Sequence, residues 1–564
     1  MGSGDDGAHF TMRRSVDTLV LATIVVVTAV VAWRGFVGEG APVFGLNYDD
    51  GLYAVLGRGL AQTSGYRLAS VPGDPSHTKY PFLFPGLLAV VWKFWPAFPA
   101  NVAGFKLVSM VAYGVSLALL FILLRRGLGW SAGRSACVVS LTATSPAIVE
   151  YAVRGMSETT FLAFVLLTLV AVDRATSGGD RLRRGWVVLG VFSAVAAFYT
   201  RSAGVSIAVA LPLGLWLGGH GRAATMVGAA LATAALPWLA WVQWHGNPPF
   251  AIGAYNYGSY ASHATYHRAL LDSVRVNLGA LVSHSVAVAA PALGSVRTVR
   301  RVIALLLIVG AWRRVSRSRV REVAGFTWVV VVFTVVYAGM LLAWPYQQVR
   351  LWIPLAPFIY MLCVWVGAGI VAWPRRAWGF QVARGLVTML LAAVLTTNVA
   401  AAWRVAGEPP EGRGTWTDWQ ALFAWVRDST PANAVLAGEF DPALYLYTGR
   451  PAVRAYGNNQ IEDYLGDAAG QRLAAEFWEM LTVVRPTHLV LNPGFLWSPA
   501  FQGAIEEVER RHGVELVEEY AGADPRFRVY RMTFPPATHQ ECRPTPPQRE
   551  SRPATQMHTQ QREN

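Results

Sequence analysis

Asp49 and Asp50 stand side by side soon after the first long apolar run, in the segment Asn47-Tyr-Asp-Asp-Gly-Leu-Tyr53. Farther along come Lys79 in His77-Thr-Lys-Tyr-Pro-Phe-Leu-Phe-Pro-Gly86, Glu158 in Arg154-Gly-Met-Ser-Glu158, Arg201 in Tyr199-Thr-Arg-Ser-Ala-Gly204, and Arg350 in Trp344-Pro-Tyr-Gln-Gln-Val-Arg350. A carboxylate can take the proton from an attacking hydroxyl. Lysine and arginine can hold a phosphate and stabilise the charge that grows on it as it leaves. These are the parts needed to move a sugar from a phosphate carrier to an acceptor hydroxyl.

Each position also has an ordinary reading. The acid pair suits a solvated loop or a helix N-cap ahead of Leu52–Leu60, and Glu158 suits the positive end of a helix dipole. Lys79 can snorkel at a membrane interface. Arg201 and Arg350, flanked by Tyr or Trp, can anchor span ends. What favours chemistry is that acids and cations fall together in loops expected on one side of a membrane.

The membrane is dictated by composition. A chain of 564 residues that is 53% hydrophobic and 15% charged has more apolar surface than soluble cores can hide. The net charge of +14 sits in arginine clusters between apolar runs, where it orients spans, so nucleic-acid binding is not the expected use. The three cysteines, Cys137, Cys363 and Cys542, show neither a disulfide framework nor zinc spacing. No His or acidic cluster has ligand spacing either, so no cofactor is assigned and a divalent metal is left open. Only Lys79, Lys93 and Lys106 are lysines.

Apolar runs of about 20 residues predict spans near 16–33, 103–124, 134–151, 157–173, 185–200, 203–219, 223–244, 290–312, 324–343, 351–373 and 384–402, about eleven in all. The run at 290–312 is interrupted by Arg297, Arg300 and Arg301, and Leu278–Leu293 is an alternative membrane segment. Arg13 and Arg14 precede an apolar run too long for a cleaved signal. Arginine-rich alternate loops place the N-terminus, residues 1–15, in the cytoplasm. The loop 34–101 and the chain after Trp403 are then extracytoplasmic.

From 403 to 534 the composition is that of a soluble domain. A helix at Trp416–Asp428, a strand at Ala434–Ala437, a helical turn at Tyr445–Gly449, and strands at His488–Asn492, Val514–Tyr520 and Phe527–Met532 predict a small α/β domain. The tail 535–564, rich in Pro, Thr, Gln and Arg, has a disordered composition.

The segments Asp49-Asp-Gly-Leu-Tyr53, Lys79-Tyr-Pro-Phe-Leu-Phe-Pro-Gly86, Ser157-Glu158, Thr200-Arg201-Ser-Ala-Gly204 and Arg350-Leu-Trp-Ile-Pro354-Leu-Ala-Pro357, in this order, resemble the GT-C membrane glycosyltransferases. Within that group the likeness is to the protein O-mannosyltransferase and lipid A aminoarabinose or galacturonosyl transferase branch, and it covers residues 16–402. The resemblance implies an α-helical integral membrane protein of the GT-C fold with a C-terminal extracytoplasmic α/β domain. It implies inverting transfer of a sugar from a polyprenyl-phosphate donor to a cell-envelope acceptor. It maps the catalytic base onto Asp49 with Asp50 beside it, and the carrier phosphate onto Lys79 and Arg350; Tyr53, Glu158 and Arg201 complete the expected substrate-binding set. Asp50 stands where Glu is common, and Leu351 follows Arg350 where Tyr is common.

A transporter or lipid flippase is the competing reading. It calls for ionisable groups at mid-membrane and repeated halves with broken helices, which the sequence does not display. A membrane-anchored sensor would not need so many spans. Sugar, carrier length and acceptor are not legible.

Overall fold

The computed structural model describes residues 5–40, 42–177, 182–246, 256–258, 270–289, 325–344, 349–371, 377–457 and 469–535. Among these, seven helices are long and apolar enough to cross a membrane: Ser15–Val37, Val102–Gly127, Glu158–Thr176, Gly221–Trp244, Phe326–Ala343, Val349–Val371 and Trp378–Gly407. The chain is a multi-pass membrane protein.

The run expected as one span at 134–151 is two helices, Ala132–Ala143 and Pro146–Val153, bent by 57°. Ser145 is extended (φ −61°, ψ 115°), because a proline ring disfavours helical backbone in the residue before it. Two shorter apolar helices, Arg184–Thr200 and Ser202–Leu217, meet at Arg201, whose backbone is also extended. The expected span at 290–312 lies outside the described residues. The helix Leu270–Ala289 takes up much of the alternative segment beginning at Leu278.

Glu158–Thr176 is 78% buried and Ser15–Val37 only 6%, so the first is the axis of the bundle and the second faces lipid. Close helix contacts use small residues, as expected where lipid removes the hydrophobic drive between helices. At Gly214 a Cβ would lie 2.4 Å from the Val329 side chain.

The loop after the first span is folded. It carries the helices Asp49–Ala61 and Leu83–Phe94, whose Leu52, Tyr53, Phe84, Leu88 and Trp92 share one apolar core with the C-terminal domain. That domain begins with the helix Trp416–Ser429, capped by the Thr415 hydroxyl accepting the Asp418 amide. Five strands follow: β1 (Leu436–Gly438), β2 (Ala452–Arg454), β3 (His488–Leu491), β4 (Glu515–Ala521) and β5 (Arg528–Thr533), in the order β2-β1-β3-β5-β4. β1 pairs in parallel with β2 and β3, and β5 runs antiparallel to both β3 and β4.

The parallel strands are short and buried, as crossover helices require. β2 and the helices Ala469–Val484 and Pro499–His512 are additional to the sequence expectation. Residues 536–564, expected to be disordered, lie outside the described residues.

Candidate active site

Asp49 and Asp50 open the helix Asp49–Ala61, yet their carboxylates diverge. Tyr48, just before them, has a φ of +67°, a conformation uncommon for a residue with a side chain. Asp50 turns back into the chain: Oδ2 accepts the Gly45 amide at 2.8 Å, and Oδ1 accepts the Gly51 amide at 2.9 Å and the Asn47 amide at 3.2 Å. Its side chain therefore shapes the turn. Burial raises its carboxyl above the ordinary value despite those amides, but its oxygens are committed to backbone.

Two glycines make this turn a docking seat. Gly45 has a φ of +87°, and a Cβ there would lie 2.8 Å from that of Ala443; one on Gly51 would lie 3.0 Å from the Pro442 side chain. Both partners belong to the C-terminal domain.

Asp49 turns toward the bundle and is 4% exposed. Arg350 Nη1 lies 2.7 Å from Oδ2, and the Tyr80 hydroxyl donates to Oδ1 at 2.7 Å. Burial would raise this carboxyl, but Arg350, Tyr80 and Lys79 outweigh it and hold it below the ordinary range. Asp49 is therefore a charged, oriented acceptor at neutral pH.

The proline-bracketed segment is held from three sides. Trp241 donates to the His77 carbonyl at 2.9 Å, His77 Nε2 accepts the Tyr80 amide at 2.9 Å, and the Tyr66 hydroxyl donates to the Tyr80 carbonyl at 2.7 Å. Burial brings His77 down to about 3, with Lys79 adding to the shift and Asp49 opposing it, so the ring is neutral and can accept. Lys79 is 8% exposed, and its ammonium lies 5.8 Å from the Tyr80 ring centre. Burial lowers its amine to about 8; Asp49 opposes this and the Arg454 and Arg350 charges add to it.

A second cluster adjoins the first. Arg201 Nη1 donates to the Ser157 hydroxyl at 2.8 Å and to Glu158 Oε1 at 2.7 Å, while the hydroxyls of Ser157 and Tyr53 lie 3.1 Å apart. Glu158 Oε2 and Arg350 Nε are buried and have no hydrogen-bond partner among the described residues. The Tyr53 ring packs edge-on against Tyr80 at 5.2 Å, which joins the two clusters.

Thus Asp49, Lys79, Tyr53, Glu158, Arg201 and Arg350, distant in sequence, form adjoining polar clusters, and Asp50 supports the loop behind them. Sequence reasoning missed Tyr80, although it lies inside the quoted Lys79 segment, and it missed Arg454. Arg454 reaches the site from β2, with its guanidinium carbon 4.5 Å from the centres of both the Tyr48 and Tyr456 rings. A lone arginine in a predicted soluble domain carries no local signal for this. Among the described residues no group of three or more His, Cys, Asp or Glu side chains is placed to hold a metal ion.

Neither a family model nor a curated protein sequence matches the chain. Among solved structures it is similar to ArnT from Cupriavidus metallidurans bound to undecaprenyl phosphate, with a TM-score of 0.52 at 12% identity over 90% of this chain and 98% of that one. The apo state of the same enzyme matches with a TM-score of 0.49 at 13% identity, over 91% and 98%. The arabinofuranosyltransferase AftD from Mycobacteria gives 0.46 at 16%, over 90% of this chain and 40% of that one. The shared feature is architecture: the chain has the GT-C fold, apolar spans followed by a small α/β domain.

Proposed function

We propose that the chain is a glycosyltransferase that moves a sugar from a polyprenyl-phosphate carrier to a cell-envelope acceptor on the extracytoplasmic face, with inversion at the anomeric carbon. The observation that carries this reading is Asp49, a buried carboxylate held by Arg350 and the Tyr80 hydroxyl, beside Lys79, beneath the C-terminal domain. Its support from likeness is the GT-C fold shared with a structure bound to undecaprenyl phosphate.

The chemistry is a single displacement. An acceptor hydroxyl oxygen attacks the anomeric carbon as the bond from that carbon to the phosphate oxygen breaks. The hydroxyl proton passes to Asp49, and the bond pair leaves on the phosphate. Because Asp49 is held below the ordinary range, it is a weak base, and orientation of the acceptor is a large part of its work.

Lys79 and Arg350 would take the charge developing on the leaving phosphate. Arg350 can serve both ends of the reaction, because a guanidinium presents several donors in a fixed fork. One donor is on Asp49, and Nε has no partner among the described residues. The test is to incubate the purified chain with a polyprenyl-phosphate-linked sugar and an envelope extract. Release of polyprenyl phosphate with a sugar product of inverted configuration is expected; a retained configuration, or no dependence on the carrier phosphate, overturns the reading.

A further inference from the structure

Arg58 stands nine residues after Asp49 in the helix Asp49–Ala61. That is about two and a half turns, or about 13 Å along the axis, so Arg58 leaves the helix on the face opposite Asp49. Behind that face lies a cavity of about 450 Å³, lined by Arg58, Gln62, Trp92, Lys93, Phe98 and Leu446. Leu446 belongs to the helix Asp441–Thr448 of the C-terminal domain. Loop and domain therefore wall the cavity together, apart from the cluster around Asp49.

The aromatic wall is fixed. Trp92 donates its indole N–H to the Ala54 carbonyl at 2.9 Å, Phe98 stacks on Trp92 with ring centres 6.1 Å apart, and Tyr447 of the domain packs edge-on against Phe98 at 4.8 Å. The Arg58 guanidinium carbon lies 5.6 Å from the Trp92 ring centre and 5.9 Å from that of Tyr445. Rings hold a guanidinium in place and leave its donors open to an anion. Among the described residues no ion pair includes Arg58 or Lys93, and no acid lines the cavity.

The helix Leu83–Phe94 sets the level of the cavity. A Cβ on Gly104, near the start of the span Val102–Gly127, would lie 2.6 Å from the Val91 side chain, so this helix lies against the end of that span. Val90 and Phe94, one turn apart, share a face that looks away from the protein. Phe94 is 85% exposed, and Val90 and Trp95 are exposed with it. Leu87 and Val91 continue the apolar side into a groove of about 510 Å³ shared with Leu107 and Val111 of the span. Exposed apolar and aromatic side chains beside the end of a span mark the membrane interface. Lys93 adjoins Phe94 and turns to the polar side, so the cavity that it shares with Arg58 opens at headgroup depth.

We propose that this cavity binds the phosphate of an anionic membrane lipid, with Arg58 and Lys93 as its cations and the acyl chains in the bilayer beside Val90, Phe94 and Trp95. The occupant is a lipid because the charged cavity lies next to a face built for hydrocarbon. Since Tyr445 and Leu446 close the same cavity, the bound headgroup fastens to the bilayer the joint at which the C-terminal domain meets the first loop. The site is independent of the sugar-transfer reading.

The experiment uses the full chain in mixed micelles of phosphatidylglycerol and phosphatidylcholine of matched chain length, with retained lipid counted by native mass spectrometry. The wild type should retain one phosphatidylglycerol in preference to phosphatidylcholine. Lys93 is exposed, so Lys93→Gln tests the site without disturbing the fold. It should lower the preference about fivefold, the scale of one cation at an anionic membrane surface, and Arg58→Gln/Lys93→Gln about 25-fold. Arg58→Lys, which keeps the charge, should retain most of the preference. Arg67→Gln, at an exposed cation of the same loop, should leave it unchanged.

Equal retention of the two lipids by the wild type, or an unchanged preference in Lys93→Gln and in the double variant, overturns the site. So does an equal loss in Arg67→Gln, which would mean attraction to the whole surface. Displacement of the lipid by inorganic phosphate also overturns it, because a free anion would then be the ligand.

Discussion

Replacing Asp49 by Asn separates charge from shape. Asn can keep both contacts, with its carbonyl oxygen accepting from Arg350 and its amide donating to the Tyr80 hydroxyl, so the 2.7 Å geometry survives. What is lost is the charge. Exchanging a charge-assisted bond for a neutral one costs about 1–2 kcal/mol of stability, too little to unfold a chain with an extensive core. Transfer should suffer far more, because an amide cannot accept the acceptor's proton. A fall of about 100-fold or more is expected, equivalent to about 2.7 kcal/mol in the barrier. Donor binding should hold or tighten, since a negative charge next to the carrier phosphate is gone and Arg350 is released to it. The assay is single-turnover transfer with labelled donor, alongside donor binding and a melting curve. Near-normal transfer by Asp49→Asn refutes the role. A parallel loss of donor binding and of folded protein would show that Asp49 is an anchor for Arg350 and nothing more.

Lys79→Ala should weaken donor use by about 10- to 100-fold with insertion intact. Because its amine is lowered to about 8, kcat/KM for the donor should fall as pH rises through about 8. Lys79→Arg, which stays charged, should carry activity past that limb; an unchanged alkaline limb in this variant refutes the assignment. Asp50→Asn should lower stability by about 1–3 kcal/mol through the turn it holds, read as a lower melting temperature, with transfer per folded molecule little changed; collapse of transfer at unchanged stability would exchange the roles of the two acids. Cys542, in the C-terminal tail, should react with a membrane-impermeant maleimide in spheroplasts while Cys137 and Cys363 stay protected. Labelling of Cys542 only in broken membranes would invert the topology.

The sequence by itself determined the long apolar helices, seven of them long enough to cross a membrane among the described residues, because the bilayer imposes a length and an apolarity that a run such as Val102–Gly127 meets with no help from its neighbours. It also determined the strands β3, β4 and β5, whose alternation and breaks are local properties. The bend at Ser145-Pro146 was readable in principle from the proline alone.

The division of labour between Asp49 and Asp50 was not readable. Two identical side chains in adjacent positions have the same local chemistry, and a backbone φ of +67° at Tyr48, fixed by packing, sends one to the backbone amides and the other to Arg350. Arg454 was invisible for a related reason. It sits 405 residues from Asp49 in the chain, on a strand of three residues too short to show a period. Its place against Tyr48 exists only once Gly45 and Gly51 let Pro442 and Ala443 approach. Apolarity and periodicity act over a few residues and survive in the sequence; the direction of a carboxylate, and the domain that supplies a cation, are set by contacts between segments hundreds of residues apart.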